Sequence, residues 1–194
     1  MSAAILTPPP ALPVPTVKFT VTEFDQMGDM GWFEGRGAFL FEGTVREKGE
    51  MNPPHAIAIT LVQQALQAVF RTGWVIRCQL PLHLDRFNNP LPDFALVPGG
   101  PRDYQGRHPT TADLIVEVSD TTLAFDMIEQ RDRYCEAGIA DYWILDLIGQ
   151  RLLVYRDPDP ATSMYRNQQA LGSADRVSPL AAPGGFILVA DLLP

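Results

Sequence analysis

The chain has 194 residues, 46% of them hydrophobic and 20% charged, with a net charge of -8. That length supports one domain with a substantial core, and the composition is that of a soluble globular protein, which excludes a disordered chain. The acidic balance argues against a protein that grips nucleic acid by bulk electrostatics, and no apolar run of about 18 residues marks a membrane span. Residues 1–17 contain Pro8, Pro9, Pro10, Pro13 and Pro15, which read as an extended, mobile tail ahead of a single domain over 18–194. The apolar start lacks the basic opening and cleavage site of a secretory signal, so a cytoplasmic protein is expected.

A short helix is expected around Glu23–Met27. Phe39, Phe41 and Val45 occupy alternate positions in Ala38–Glu47, which predicts strand with a turn at Glu42–Gly43. Pro53–Pro54 introduces a helix over His55–Phe70, with Ile57, Leu61, Ala65, Leu66 and Val69 at helical spacing and Gly73 beyond its end. Trp74–Leu80, Leu82–Asp85 and Pro92–Val97 read as strands, and Pro98 to about Thr111 as a surface loop. Asp113–Ser119 is a nearly continuous apolar run, the mark of a strand buried on both faces. Asp120–Thr121–Thr122 supplies capping residues for a helix over Leu123–Ala137 that closes at Gly138. Asp141–Leu147 and Leu152–Arg156 read as a strand pair, Asp157–Ala182 as loop, and Gly185–Ala190 as a last strand. The whole reads as one α/β domain without internal repeats. Cys78 and Cys135, the only cysteines, are expected as free buried thiols.

Charge points to one stretch. Residues 90–150 hold 4 basic and 11 acidic side chains, which leaves -7 of the net -8 there. Most of these face solvent in the ordinary case. Glu117 cannot, because Ile115, Val116 and Val118 surround it and an unpaired buried carboxylate is expensive. Asp93 opens the preceding strand. Two ionised carboxylates about 4 Å apart repel by roughly 4 kcal/mol at an effective dielectric near 20, so such a pair needs a proton, a basic partner or a divalent cation. Mg²⁺ is held by one or two carboxylates and keeps several waters, which suits phosphate chemistry.

Pro92–Asp93, Val116–Glu117–Val118–Ser119, Asp126, Tyr134, Ala137–Gly138–Ile139 and Asp141–Tyr142–Trp143–Ile144 follow one another in an order and spacing that resembles the Uma family of putative restriction endonucleases, within the PD-(D/E)XK nuclease superfamily. The resemblance is strongest over residues 90–156, and Glu42–Gly43 and His55 extend it upstream. It implies a restriction-endonuclease-like core, a central mixed β-sheet flanked by helices. It implies catalytic roles for Asp93, Glu117 and the helix position Gln130. It further implies a Mg²⁺ site, with Mn²⁺ as substitute, on Asp93, Glu117 and the backbone carbonyl of Val118. Glu42, His55 and Asp126 are possible accessory residues, although a turn residue, a helix-start residue and a solvated helix residue are the ordinary readings of the three. Tyr134, Tyr142 and Trp143 are expected in the core.

The superfamily also uses a lysine, two residues after the acidic one, where this chain has Ser119, or on the following helix, where it has Gln130. The only lysines, Lys18 and Lys48, both precede Asp93. From this the site is expected to be short of positive charge. Two functions remain open on the sequence: a metal-dependent DNA endonuclease, weakened by Gln130 and, as the resemblance implies, a homodimer, or a non-catalytic module that binds nucleic acid or a partner protein.

Overall fold

The computed structural model describes residues 16–194, so all but the last two positions of the proline-rich tail lie outside the described residues. Helix α1 (Val21–Asp29) opens at Thr20. The Thr20 hydroxyl oxygen accepts from the Glu23 amide and the Glu23 carboxylate accepts from the Thr20 amide, which satisfies two otherwise free N–H groups. Strands β1 (Ala38–Phe41) and β2 (Thr44–Glu47) form an antiparallel hairpin that turns at Glu42 and Gly43, with φ of 50° and 74°. Two successive left-handed residues match the twist of the flanking strands in a two-residue turn. Helix α2 (Pro53–Val69) is capped by the Asn52 side chain, which accepts from the His55 amide at 3.0 Å. Its Ala58, Val62 and Leu66 are buried against the sheet. Burial of Val62 and of Leu66 is worth about 1.5–3 kcal/mol each.

The central sheet has six strands, β3 (Trp74–Cys78), β4 (Phe94–Pro98), β5 (Leu114–Ser119), β6 (Asp141–Asp146), β7 (Arg151–Asp159) and β8 (Met164–Gly172), in that spatial order. All neighbours are antiparallel except β5 and β6. A parallel pair requires a crossover. Here it consists of α3 (Leu123–Phe125), a π-helical turn (Asp126–Gln130) and α4 (Arg131–Glu136). Side chains alternate across the sheet. Phe94, Leu96, Val116, Val118, Trp143 and Leu145 face α2, while Ala95, Val97, Ile115, Tyr142 and Ile144 face Tyr134 and Cys135 of α4.

Several expectations are corrected. Leu82–Asp85 is not a strand; it folds back on the next residues through Leu82 N–H to Pro90 O and Leu84 N–H to Asn88 O, both 3.0 Å, with only an isolated bridge between Asp85 and Asn88. Asp157–Ala182 is not loop throughout. It holds the end of β7, all of β8, and β9 (Arg176–Val177), which pairs with β10 (Ile187–Leu188), the shortened form of the expected last strand. The regular helix expected over Leu123–Ala137 is interrupted by the π turn. Thr122 stands at the helix start but makes no side-chain cap; its hydroxyl donates to Asp126 instead. Cys78 and Cys135 are free, but only Cys135 is buried and Cys78 is half-buried; no helix of the described residues is long and apolar enough to cross a membrane.

Candidate metal and catalytic site

The register of β4 and β5 pairs Phe94 with Val116, and one step further sets Asp93 across from Glu117. Directly opposite residues of an antiparallel pair project from the same face. Both carboxylates therefore lie on the face that α4 covers, 2% and 4% exposed, at the floor of a cleft of about 490 Å³. Each is tied to the backbone of the facing strand. The Asp93 amide donates to Glu117 Oε2 at 3.0 Å, and the Val118 amide donates to Asp93 Oδ2 at 2.9 Å.

The crossover supplies the second layer. Tyr134 donates from its hydroxyl to Glu117 Oε1 at 2.8 Å, with Gln130 Oε1 at 3.1 Å as a second acceptor. Gln130 Nε2 donates to Asp126 Oδ1 at 2.7 Å, and Asp126 Oδ2 accepts from Thr122 at 2.9 Å and from the Ser119 hydroxyl. The π turn, in which the Arg131 amide reaches back to Asp126 O, keeps Asp126 and Gln130 stacked while both point inward. Tyr142 donates to the Asp126 carbonyl at 3.0 Å and holds this turn against β6.

Positive charge arrives from a part of the chain that linear spacing does not disclose. Lys48, just after β2, places Nζ 2.6 Å from Asp93 Oδ1 and 3.2 Å from the Leu91 carbonyl. The expectation of a site without a lysine is corrected by this contact. Gln79, just after β3 with φ of 52°, donates to the same oxygen at 3.1 Å. His55, at the start of α2, brings Nε2 to 3.6 Å from Asp93 Oδ2, inside ion-pair range and outside hydrogen-bonding range. Lys48, Gln79 and the Tyr134 contact are what sequence reasoning missed. One signal was present: Lys48 stands between Glu42–Gly43 and His55, the two upstream elements that shared the resemblance.

Electrostatics separates the two acids. Burial pushes Glu117 up to about 8, with the charge of Asp93 adding to it and Lys48 opposing. Burial also opposes ionisation of Asp93, but His55, Lys48 and the Val118 amide prevail and hold it at about 2. Asp126 is raised by burial against the pull of its Ser119, Gln130 and Thr122 hydrogen bonds. Removing one partner of a buried ion pair such as Lys48–Asp93 costs about 3–5 kcal/mol.

The remaining expected residues divide. Asp126 and Gln130 are buried and line the cleft, and Gln130 reaches Glu117 only through Tyr134. Glu42 does not line the cleft: it is a left-handed turn residue whose amide donates to Asn88 Oδ1 and whose carboxylate lies 3.7 Å from Arg133. Asp141 of the Asp-Tyr-Trp element is structural. Its carboxylate accepts from Trp143 Nε1, Arg156 Nε and the Leu180 amide at 2.7, 2.8 and 2.8 Å, tying the C-terminal segment to the sheet.

A divalent ion fits these residues. Among the described residues no three His, Cys, Asp or Glu side chains converge as a ready-made cage. Mg²⁺ and Mn²⁺ need none, because they favour oxygen donors and retain waters. Asp93 and Glu117 are adjacent, buried and oriented by fixed donors. His55 Nε2 beside them is buried 3.6 Å from Asp93 Oδ2 and closes no hydrogen bond of its own, so this corner of the cleft floor is polar but not fully paired.

A family model described as "Putative restriction endonuclease", Uma2, matches residues 24–191. None of the curated proteins matches the chain. Among solved structures, a protein of Anabaena variabilis described as a putative nuclease belonging to DUF820 is similar at 16% identity, with a TM-score of 0.62, over 80% of this chain and 88% of that one. At that identity the likeness establishes the shared fold.

Proposed function

The chain belongs to the Uma2 family of putative restriction endonucleases, and from that premise we propose that it hydrolyses phosphodiester bonds of DNA with a divalent metal ion, Mg²⁺ or Mn²⁺, held by Asp93, Glu117 and the Val118 carbonyl. The observation that carries the reading is the buried pair itself. Two carboxylates project from one sheet face into a cleft, each oriented by a backbone amide of the facing strand. A fold that needed only packing there would not keep such a pair, since isosteric apolar residues are commonly neutral or stabilising.

When bound, the ion would polarise the phosphodiester and lower the pKa of the attacking water. The protein's own part is orientation. The Val118 amide fixes Asp93, while Tyr134 and the Asp93 amide fix Glu117, so neither acid rotates away when a highly charged substrate arrives. Asp126, Gln130 and Ser119 support the wall from which Tyr134 reaches inward. The binding-module alternative drew on the missing lysine and on the acidic balance of the chain, and the Lys48–Asp93 contact speaks against the first of these.

Calorimetric titration with Mn²⁺ and a plasmid-nicking assay in Mg²⁺ test this reading. Wild type is expected to bind one ion and to nick, and Asp93→Asn and Glu117→Gln to lose both. Metal affinity unchanged in both variants places any ion elsewhere and defeats the assignment.

A further inference from the structure

Resting on the nuclease reading above, we infer that Lys48 is the lysine of this site. It is the resting counter-cation of Asp93 and Glu117, and the positive charge that faces the phosphate once a divalent ion takes over the carboxylates. The β1–β2 hairpin delivers it in place of the strand or the crossover helix.

Three sets of contacts lead there. The first is position. Lys48 Nζ lies at the carboxylate that would hold the ion, 2.6 Å from Asp93 Oδ1, and the side chain is 27% exposed at the cleft wall, so it touches both the acid and the space a substrate would enter. The second is delivery. The Lys48 amide donates to the Gly37 carbonyl at 2.9 Å. The hairpin is fastened to the loop leading into Asp93 by Gly43 N–H to Phe87 O and Asn89 N–H to Leu40 O, both 2.9 Å. Lysine and aspartate thus hang from one stretch of backbone hydrogen bonds. The third is complementarity. Gln130 is uncharged and spends its amide on Asp126 and Tyr134, and Lys18 is exposed. Lys48 supplies the charge that the crossover helix does not.

A lysine that only filled a structural ion pair and one that works as the site's cation differ in what happens on metal loading. An ammonium at Asp93 competes with a divalent ion for the same oxygen. Its removal must therefore strengthen metal binding while it weakens reaction with a phosphate, a split that a packing role does not produce.

The test uses the full chain in four forms: wild type, Lys48→Met, Gln130→Lys, and Lys48→Met with Gln130→Lys. Mn²⁺ affinity is read by calorimetry, and nicking rate is measured at saturating Mn²⁺ per folded molecule. Lys48→Met is expected to bind Mn²⁺ several-fold more tightly and to nick about 10- to 100-fold more slowly, the scale of one lost charge-assisted contact. Gln130→Lys alone is expected to gain little, because a lysine is already present, yet to restore about tenfold or more in the Lys48→Met background. If Lys48→Met unfolds in metal-free buffer with Asp93 unpaired, saturating Mn²⁺ must restore its fold, and a variant that stays unfolded overturns the inference. So does unchanged Mn²⁺ affinity in Lys48→Met, or nicking that survives the substitution at saturating Mn²⁺. Wild type that binds no Mn²⁺ at all overturns the nuclease reading first, and the role of Lys48 with it.

Discussion

Asp93 and Glu117 face each other across two strands, yet their surroundings drive them in opposite directions. Asp93 collects Lys48, His55, Gln79 and the Val118 amide, and stays ionised down to about 2. Glu117 is sealed between Tyr134 and the Asp93 amide, beside a neighbour that is already negative, and rises to about 8. Near neutral pH the pair therefore holds one proton and one negative charge, which Lys48 balances. This has a consequence for stability. Between the ordinary 4.5 and the raised value of about 8, native Glu117 keeps a proton that the unfolded chain has released, so stability falls as pH climbs through that window. Asp93 acts in the opposite sense and only in acid: its contribution is present above the ordinary 3.8 and is lost as pH falls through about 2. Melting wild type and Glu117→Gln in chelator from about pH 5 to about pH 9 should show wild type losing ground to the variant toward the alkaline end. The expected gain is roughly 5 °C or more, at about 2–4 °C per kcal/mol for a domain of this size. Saturating Mg²⁺ should remove the difference in slope, whereas parallel curves in chelator contradict the proposed protonation of Glu117.

At the scale of elements, two local irregularities make the site: the left-handed turn at Glu42–Gly43 and the π turn at Asp126–Gln130. Gly43 combines a φ of 74° with close approach, since an added Cβ would stand 2.7 Å from Lys18 Cβ and 3.1 Å from the Phe19 carbonyl. Gly43→Ala should therefore cost about 1–3 kcal/mol, read as a fall of roughly 3–10 °C in Tm. Nicking should fall as well, because β2 runs directly into Lys48; an unchanged Tm would show that the turn does not need its left-handed geometry. The hairpin turn and α2 were legible in the sequence because glycine, proline and the alternation of apolar residues mark them. So was β5, whose burial on both faces leaves a continuous apolar run. Strand β8 was not. It lies at the sheet edge with Arg166–Asn167–Gln168–Gln169 exposed, so no alternation survives to be read. The π turn leaves no periodic trace in five residues. Asp93 and Glu117 were visible as an acid at a strand start and an acid in an apolar run. Lys48, 45 positions before Asp93, becomes a neighbour only through the docking of the hairpin, which no linear spacing encodes.

For the whole molecule, the acidic balance and the proposed substrate pull against each other. A chain of net charge -8 repels DNA at long range, and six of the residues lining the cleft are acidic: Glu47, Glu50, Asp93, Glu117, Asp120 and Asp126. A cleft of that sign suits a polyanion only after cations enter it. Arg46 at its wall is already committed, paired with Glu129 at 2.9 Å and stacked over Phe41 and Phe125. On the proposed reading, a divalent ion held by Asp93 and Glu117 would both activate the reaction and reverse the local charge so that a phosphate can approach. All of this depends on where the ion sits. Anomalous scattering from a crystal of the wild-type chain soaked in Mn²⁺ locates it directly. One peak is expected, bound by carboxylate oxygens of both Asp93 and Glu117 at about 2.1 Å, with the Lys48 ammonium moved off Asp93. A floor without a peak at saturating Mn²⁺, with Lys48 still on Asp93, or a peak bound by other residues, contradicts it.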